Sequence, residues 1–189
     1  VEVILERLRA LPQVQQGALS TAACLGSLQL DVRTMKIAMG LPEHFGNNMV
    51  ASTLNALTDA GYLFCEKKAS TSSEVYRFVH DRIREGSYAL LTSTEERMIT
   101  HLSIGRRLQA AYGKRPEADE TLLMVSQLNI GAPLMQDISE RLQLAELNYR
   151  SAAIAVSGSA FFPAAAYLGM GIKFVCHDSK EAAWADQYE

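Results

Sequence analysis

His80 and Asp81 are the residues of this 189-residue chain whose types and placing best suit chemistry. A short β-prone run, Val75 to Val79, leads straight into them, and an amphipathic stretch begins at Asp81 with Arg82, Ile83 and Arg84. An imidazole at such a junction can donate, accept or titrate near neutral pH, and the start of a helix favours anions. The pair also fits a plain helix start, with Asp81 at the positive end of the helix dipole and His80 as a satisfied polar neighbour. A metal phosphohydrolase would need further His and Asp ligands, and His44, His101 and His177 lie in no ligand-like spacing.

Other chemistry finds little support. The chain has no Gly-x-x-x-x-Gly-Lys-Ser/Thr phosphate loop: Gly169-Met170-Gly171-Ile172-Lys173 lacks the first glycine at its proper distance and the hydroxyl residue. Val156-Ser157-Gly158-Ser159 superficially resembles a nucleophile elbow but reads better as a helix end. Cys24, Cys65 and Cys176 are far apart, odd in number and without Cys-x-x-Cys spacing, which suits buried thiols in a reducing compartment. Arg82 and Arg84 flank Ile83 and point to different sides, and Arg106-Arg107 read as a solvated or salt-bridged face; none is assigned a ligand. The expectation is a chain with no catalytic residues and no metal site of its own.

The elements that must position His80 follow from hydrophobic period and breakers. Val3, Ile4, Leu5, Leu8 and Leu11 recur at helical spacing, and Pro12 marks the break before a helix from about Val14 to Cys24. Gly26 closes it, Asp31 can cap the next, and Gly40-Leu41-Pro42 ends that one. A longer helix from about Glu43 to Ala60 presents Phe45, Met49, Leu54 and Leu57, and Gly61 stops it. The period then changes to two β-prone runs, Tyr62 to Glu66 and Val75 to Val79, around the polar tip Lys67 to Ser73. Three helices followed by a hairpin is the order of a winged helix.

The second half reads as helical. Thr94-Glu95-Glu96-Arg97 suggests a cap for a helix reaching about Tyr112, and Gly113 to Asp119 is the likeliest hinge or linker. Helices follow from about Glu120 to Asn129, Ile138 to Ser157 and Ala160 to Val175, and Ser179 to Tyr188 begins another. The short connection at Gly158-Ser159 predicts an antiparallel hairpin, and its many Ala and Ser residues permit close approach. This is the pattern of a TPR-like array, whose repeats bury their faces by stacking. At the end of such an array Phe174, Trp184 or Tyr188 would be partly uncovered, a patch suited to self-association.

Composition limits the partners. With 48% of residues apolar the chain can fill a core, and disorder is not expected. A net charge of −3 exerts no general pull on nucleic acid or anionic membrane. A DNA reader needs a basic recognition helix, yet the stretch from Glu43 to Ala60 holds no Lys or Arg. No apolar run approaches the roughly 20 residues that cross a bilayer, and no basic-then-apolar leader opens the chain. The expected location is the cytoplasm, and the opening on Val1 within an amphipathic stretch reads as an excised piece.

Several segments, taken in order, resemble the region that follows the ATPase core in large STAND or AAA-type signalling ATPases. Leu11-Pro12 with Gln13, Gln15 and Gln16, then Ala22-Ala23-Cys24-Leu25-Gly26, is similar to the opening of that region. Val79-His80-Asp81 resembles its Met-His-Asp element, with Val79 in place of Met. His101, Ile104-Gly105-Arg106 and Leu108, then Gln127-Leu128-Asn129, Glu140-Arg141 and Ala145-Glu146-Leu147-Asn148, look like its later helices.

The resemblance implies a mainly α fold: a winged-helix domain over residues 1–91, with a small β-hairpin, and a helical TPR-like region over 92–189. It further implies a non-catalytic regulatory segment that relays the nucleotide state of an upstream ATPase core to downstream kinase, GAF or histidine-kinase domains. His80 and Asp81 would be the nucleotide-sensing residues, His80 donating to a β-phosphate oxygen and favouring a closed, ADP-bound form. ATP or ADP and Mg would belong to the parent, none to this fragment. Two other readings stand beside it: a helical scaffold that contacts proteins without sensing nucleotide, and a winged-helix DNA-binding regulator.

Overall fold

Pro12 separates the first two helices of the computed structural model, which describes residues 2–26, 30–42, 47–67, 74–113 and 116–179. Helix α1 (Glu2–Arg9) ends before it and α2 (Gln13–Leu25) begins after it. The Gln16 amide donates to the carbonyls of Arg9 (3.0 Å) and Leu11 (2.8 Å), satisfying acceptors left open at the end of α1. Every residue of α2 from Ala18 to Leu25 is buried. Its small side chains let neighbours approach from all sides, so α2 is the central helix.

Strand β1 (Leu30–Asp31), α3 (Val32–Met39), α4 (Asn47–Asp59), β2 (Leu63–Lys67), β3 (Glu74–Phe78) and α5 (Asp81–Tyr88) follow. Asp31 caps α3 as its sequence position suggests, accepting from the Thr34 amide and hydroxyl at 2.7 Å each. The strands form an antiparallel sheet in the order β1-β3-β2, with Leu30 and Cys65 both opposite Tyr76. Strand β1 is absent from the sequence reading, because two residues carry no period. Tyr76, fully buried in the middle strand, reaches Asn55 on α4 at 2.9 Å. Helix α4 buries Leu54 and Leu57 as expected; Phe45 and the start predicted at Glu43 lie outside the described residues, as does the polar tip after Lys67.

The remaining elements are α6 (Thr94–Tyr112), α7 (Ala118–Gly131), a 3-10 turn (Ala132–Leu134), α8 (Ile138–Ser157) and α9 (Phe161–Ser179). The cap of α6 is Ser93 rather than Thr94: its hydroxyl accepts from the Glu96 amide at 3.0 Å, while Glu96 reaches back to the Thr92 amide at 2.7 Å. Helices α6 and α7 are antiparallel, Leu102 lying against Gly131 and Leu128 against Gly105. The segment predicted as a hinge or linker connects these two closely packed helices. Helices α8 and α9 form the expected antiparallel pair, with Gly171 against Ala145 and Ala164 clustered with Ala152 and Ala155. Helix α9 runs past its predicted end at Val175 to Ser179, where a new helix was expected to begin; the rest of that predicted helix, with Trp184 and Tyr188, lies outside the described residues.

The described residues are mainly helical with one small antiparallel sheet. One hydrophobic cluster runs from Leu8 through Leu19, Met35, Leu54 and Tyr76 to Leu108, Val125 and Leu147. Arg107 adds a polar tie between the halves. Its guanidinium donates to the Ala38 carbonyl at 2.8 Å and lies over Gly40, whose positive φ of 69° closes α3. No helix among the described residues is long and apolar enough to cross a membrane.

Candidate functional site

Backbone pairing sets the approach to His80. Strand β3 ends at Phe78, the Val79 amide donates to the Tyr62 carbonyl at 3.2 Å, and His80 is extended with φ −150°. Its own carbonyl accepts from the Ile83 amide at 2.9 Å, which opens α5. His80 is thus the N-cap of α5, and its Nδ1 accepts from the Arg82 amide at 3.1 Å. With Nδ1 used as an acceptor, a neutral ring carries its hydrogen on Nε2. The helix-start reading and a role as donor are therefore compatible: one nitrogen caps, and the other is free to donate.

His80 and Asp81 do not act on one spot. Asp81 is exposed and pairs along the helix with Arg84 at 3.5 Å. His80 instead lines an open depression of about 420 Å³ together with Ile4, Arg7, Tyr62, Arg82 and Ile83. Helix α1 reaches this place because Gly86 of α5 leaves room for it. A Cβ there would stand 3.1 Å from both Ile4 and Leu8. Arg82 was weighed from sequence but assigned no ligand, and Arg7 was not singled out, since nothing local brings α1 beside a junction more than seventy residues away.

A second polar constellation lies at the other end of α5, and sequence reasoning missed its connection. The Tyr88 hydroxyl meets His101 Nε2 at 3.1 Å, and His101 Nδ1 meets Gln127 Oε1 at 2.7 Å. The Gln127 amide donates to the Cys24 carbonyl at 3.0 Å. Because that amide nitrogen is spent as a donor, Gln127 Oε1 must accept, so the His101 Nδ1 carries a hydrogen. The chain of bonds ties α5, α6, α7 and α2 together across the middle of the molecule. His101 and Gln127 are each only 2% exposed, and burial pushes the imidazole below its ordinary pKa, opposed by the bond to Gln127. Arg97 covers the Tyr88 ring at 4.9 Å and donates to the Leu91 carbonyl at 3.0 Å.

The later segments quoted for the resemblance are the joints between helices. His101 meets Gln127, Gly105 receives Leu128, Arg106 grips Glu140 with two bonds of 2.7 Å, and Asn129 and Asn148 exchange amide bonds of 2.9 and 2.8 Å. The Glu140 carboxyl is held below the usual range by Arg106. Among the thiols, Cys24 is buried, which pushes its pKa up to about 12. Cys65 is half-buried and Cys176 exposed, so the expectation of buried thiols holds for Cys24 alone. No group of three or more His, Cys, Asp or Glu among the described residues could hold a metal ion.

Helices α8 and α9 leave a second open depression, about 410 Å³ and almost wholly apolar, between Leu142, Tyr149, Leu168, Ile172 and Val175. Phe174 is half-buried against the main core, so the exposed apolar strip is made by its neighbours on α9 and by α8.

No protein-family model matches the chain, and no solved structure matches it. Over 133 residues it is 26% identical to the hybrid signal transduction histidine kinase G of Dictyostelium discoideum. The match covers 60% of this chain and 4% of the kinase, so the chain spans a small part of the curated relative that it matches.

Proposed function

We propose that this chain is a non-catalytic regulatory segment of a multidomain signalling protein, one that relays the nucleotide state of an ATPase core to output domains. In this reading residues 1–91 are a winged helix and residues 92–189 the start of a TPR-like arm. The order α2-β1-α3-α4-β2-β3 with sheet order β1-β3-β2 supports the first, and the successive antiparallel pairs α6/α7 and α8/α9 support the second. The likeness to a small part of a hybrid signalling kinase supports a signalling context.

The observation that carries the relay is helix α5. It is a rigid rod of eight residues, on the order of 12 Å long, with a donor at one end and a tie to the arm at the other. His80 caps its start beside the open depression, and Tyr88 at its end is bonded to His101 of α6. A phosphate oxygen held by His80 Nε2 in the parent would bias the position of α5, and the buried chain through His101 would carry that bias into the arm. ADP and Mg would be held by the upstream core, in the cytoplasm.

The test is made in the full-length parent. His80→Ala should speed ADP release about tenfold, the effect of losing one hydrogen bond to a charged oxygen, and shift output toward the open state. Tyr88→Phe should leave ADP retention intact while blunting the output. Unaltered ADP retention and output in His80→Ala would sink the sensor reading.

The apolar strip on α8 and α9 favours a second reading, a helical module that contacts proteins without sensing nucleotide. Ile172 is 61% exposed, so Ile172→Glu should change folding stability by no more than about 0.5 kcal/mol. It should nevertheless abolish any concentration-dependent association of this chain in sedimentation velocity. A wild-type chain that stays monomeric at all concentrations removes self-association from this reading. The DNA-binding alternative lacks its electrostatic basis: α4, in the recognition position, carries no Lys or Arg from Asn47 to Asp59.

A further inference from the structure

The depression beside His80 is lined by two arginines from different parts of the chain, Arg7 of α1 and Arg82 of α5, and by no acidic residue. All three basic side chains are exposed, and among the described residues neither guanidinium has a carboxylate partner. Arg9 and Arg150 also lack a carboxylate partner among the described residues, but neither lines this depression; several other arginines are engaged. Arg77 is paired with Glu66, Arg84 with Asp81 and Arg106 with Glu140, while Arg107 binds the Ala38 carbonyl. Two unpaired guanidiniums and an imidazole N–H around one concavity repel one another, and an anion would relieve that repulsion.

We infer that this depression is an oxyanion site for a phosphate or diphosphate group, with Arg7 and Arg82 as binding residues in addition to His80. Guanidinium forks match phosphate oxygens in pairs, and His80 Nε2 supplies a third donor because Nδ1 is committed to the α5 cap. Ile4, Tyr62 and Ile83 form apolar walls that exclude part of the water and strengthen those bonds. The site has a consequence for the fold as well: an anion held by both arginines ties α1 to α5 at the point where Gly86 already lets them touch. Naming the anion as the diphosphate of ADP depends on the relay reading above; the oxyanion site itself depends on the pocket alone.

The experiment is a titration of this chain, labelled with 15N, with inorganic pyrophosphate at low ionic strength. Saturable amide shifts confined to residues 4–8, 60–62 and 80–84 are expected, weakening as salt is added. Arg7→Gln and Arg82→Gln should each lower the affinity about fivefold or more, the loss expected for a partly screened charge-assisted pair. Arg9→Gln, on the same helix but outside the pocket, should leave it unchanged. Absence of saturable shifts overturns the site, and so does an equal loss in Arg9→Gln, which would mark the binding as general charge attraction. If pyrophosphate binds as described while His80→Ala leaves the parent's ADP release unaltered, the oxyanion site stands and the relay reading fails.

Discussion

Gly131→Ala destabilises the chain by about 3 kcal/mol, at the upper end of what overpacking a core by one methyl costs. A Cβ on Gly131 would stand 2.5 Å from the Leu102 Cβ, 2.7 Å from its Cα and 2.8 Å from its amide nitrogen. Two of these are atoms of the α6 backbone and the Cβ is fixed to it, so no rotamer change relieves the clash and the two helices must separate. Gly105→Ala should cost less, because the nearest atoms, at 2.6 and 2.7 Å, belong to the Leu128 side chain. Gly169→Ala provides the control. Nothing lies within 4 Å of the added methyl, and replacing a mid-helix glycine by alanine should gain up to about 1 kcal/mol. Urea denaturation of the three variants checks the ranking. A Gly131→Ala protein as stable as wild type would mean that α6 and α7 are not in this register. By thermal melting the loss corresponds to a fall of roughly 6 to 12 °C for a chain of this size.

His101→Leu is expected to cost a similar amount, about 3 kcal/mol, for a different reason. The substitution keeps an apolar ring-sized volume only in part and leaves the Gln127 oxygen and the Tyr88 hydroxyl without their partner. A buried polar atom left unsatisfied forfeits its solvation. Gln127→Leu orphans the other side of the same bond. The double variant should therefore be more stable than the sum of the two losses by about 1 to 2 kcal/mol. Simple additivity would show that the two residues are not bonded to each other.

The same histidine sets a pH dependence. Burial holds its folded pKa below the ordinary 6.5, so between those two values the unfolded chain binds a proton that the folded chain refuses. Its contribution to stability is complete above pH 6.5 and is lost as pH falls from there through the depressed folded value. His101→Gln should flatten that limb of the stability profile. The carboxylates of Glu96 and Glu140, held below the usual 4.5 chiefly by Thr92 and Arg106, act in a lower window and leave this limb unaffected.

Much of the local structure could be read directly from residue order. The bounds of α6 and α8 agree with their hydrophobic period and breakers, and Asp31 caps α3 from a position that its type and place suggest. His80 and Asp81 could be singled out because a strand-to-helix junction is encoded over a handful of consecutive residues. Each of these features depends on backbone preferences and on partners a few positions away.

What the tertiary structure alone decided involves segments far apart. Strand β1 exists because Leu30 finds Tyr76, and two residues have no pattern of their own. Sequence treats Arg82 and Arg84 alike, yet one lines the depression with Arg7 while the other pairs with Asp81. Arg106 and Arg107 are neighbours, yet one bonds Glu140 on α8 and the other the end of α3. A glycine inside a helix signals only a local cost; that Gly131 admits the backbone of α6 follows from how two helices meet. Residue types determined which groups could donate, accept or bury themselves, over distances of a turn or two. Which of those groups met was decided by packing, since a dense core admits few arrangements of helices and each one brings together side chains that the sequence keeps apart.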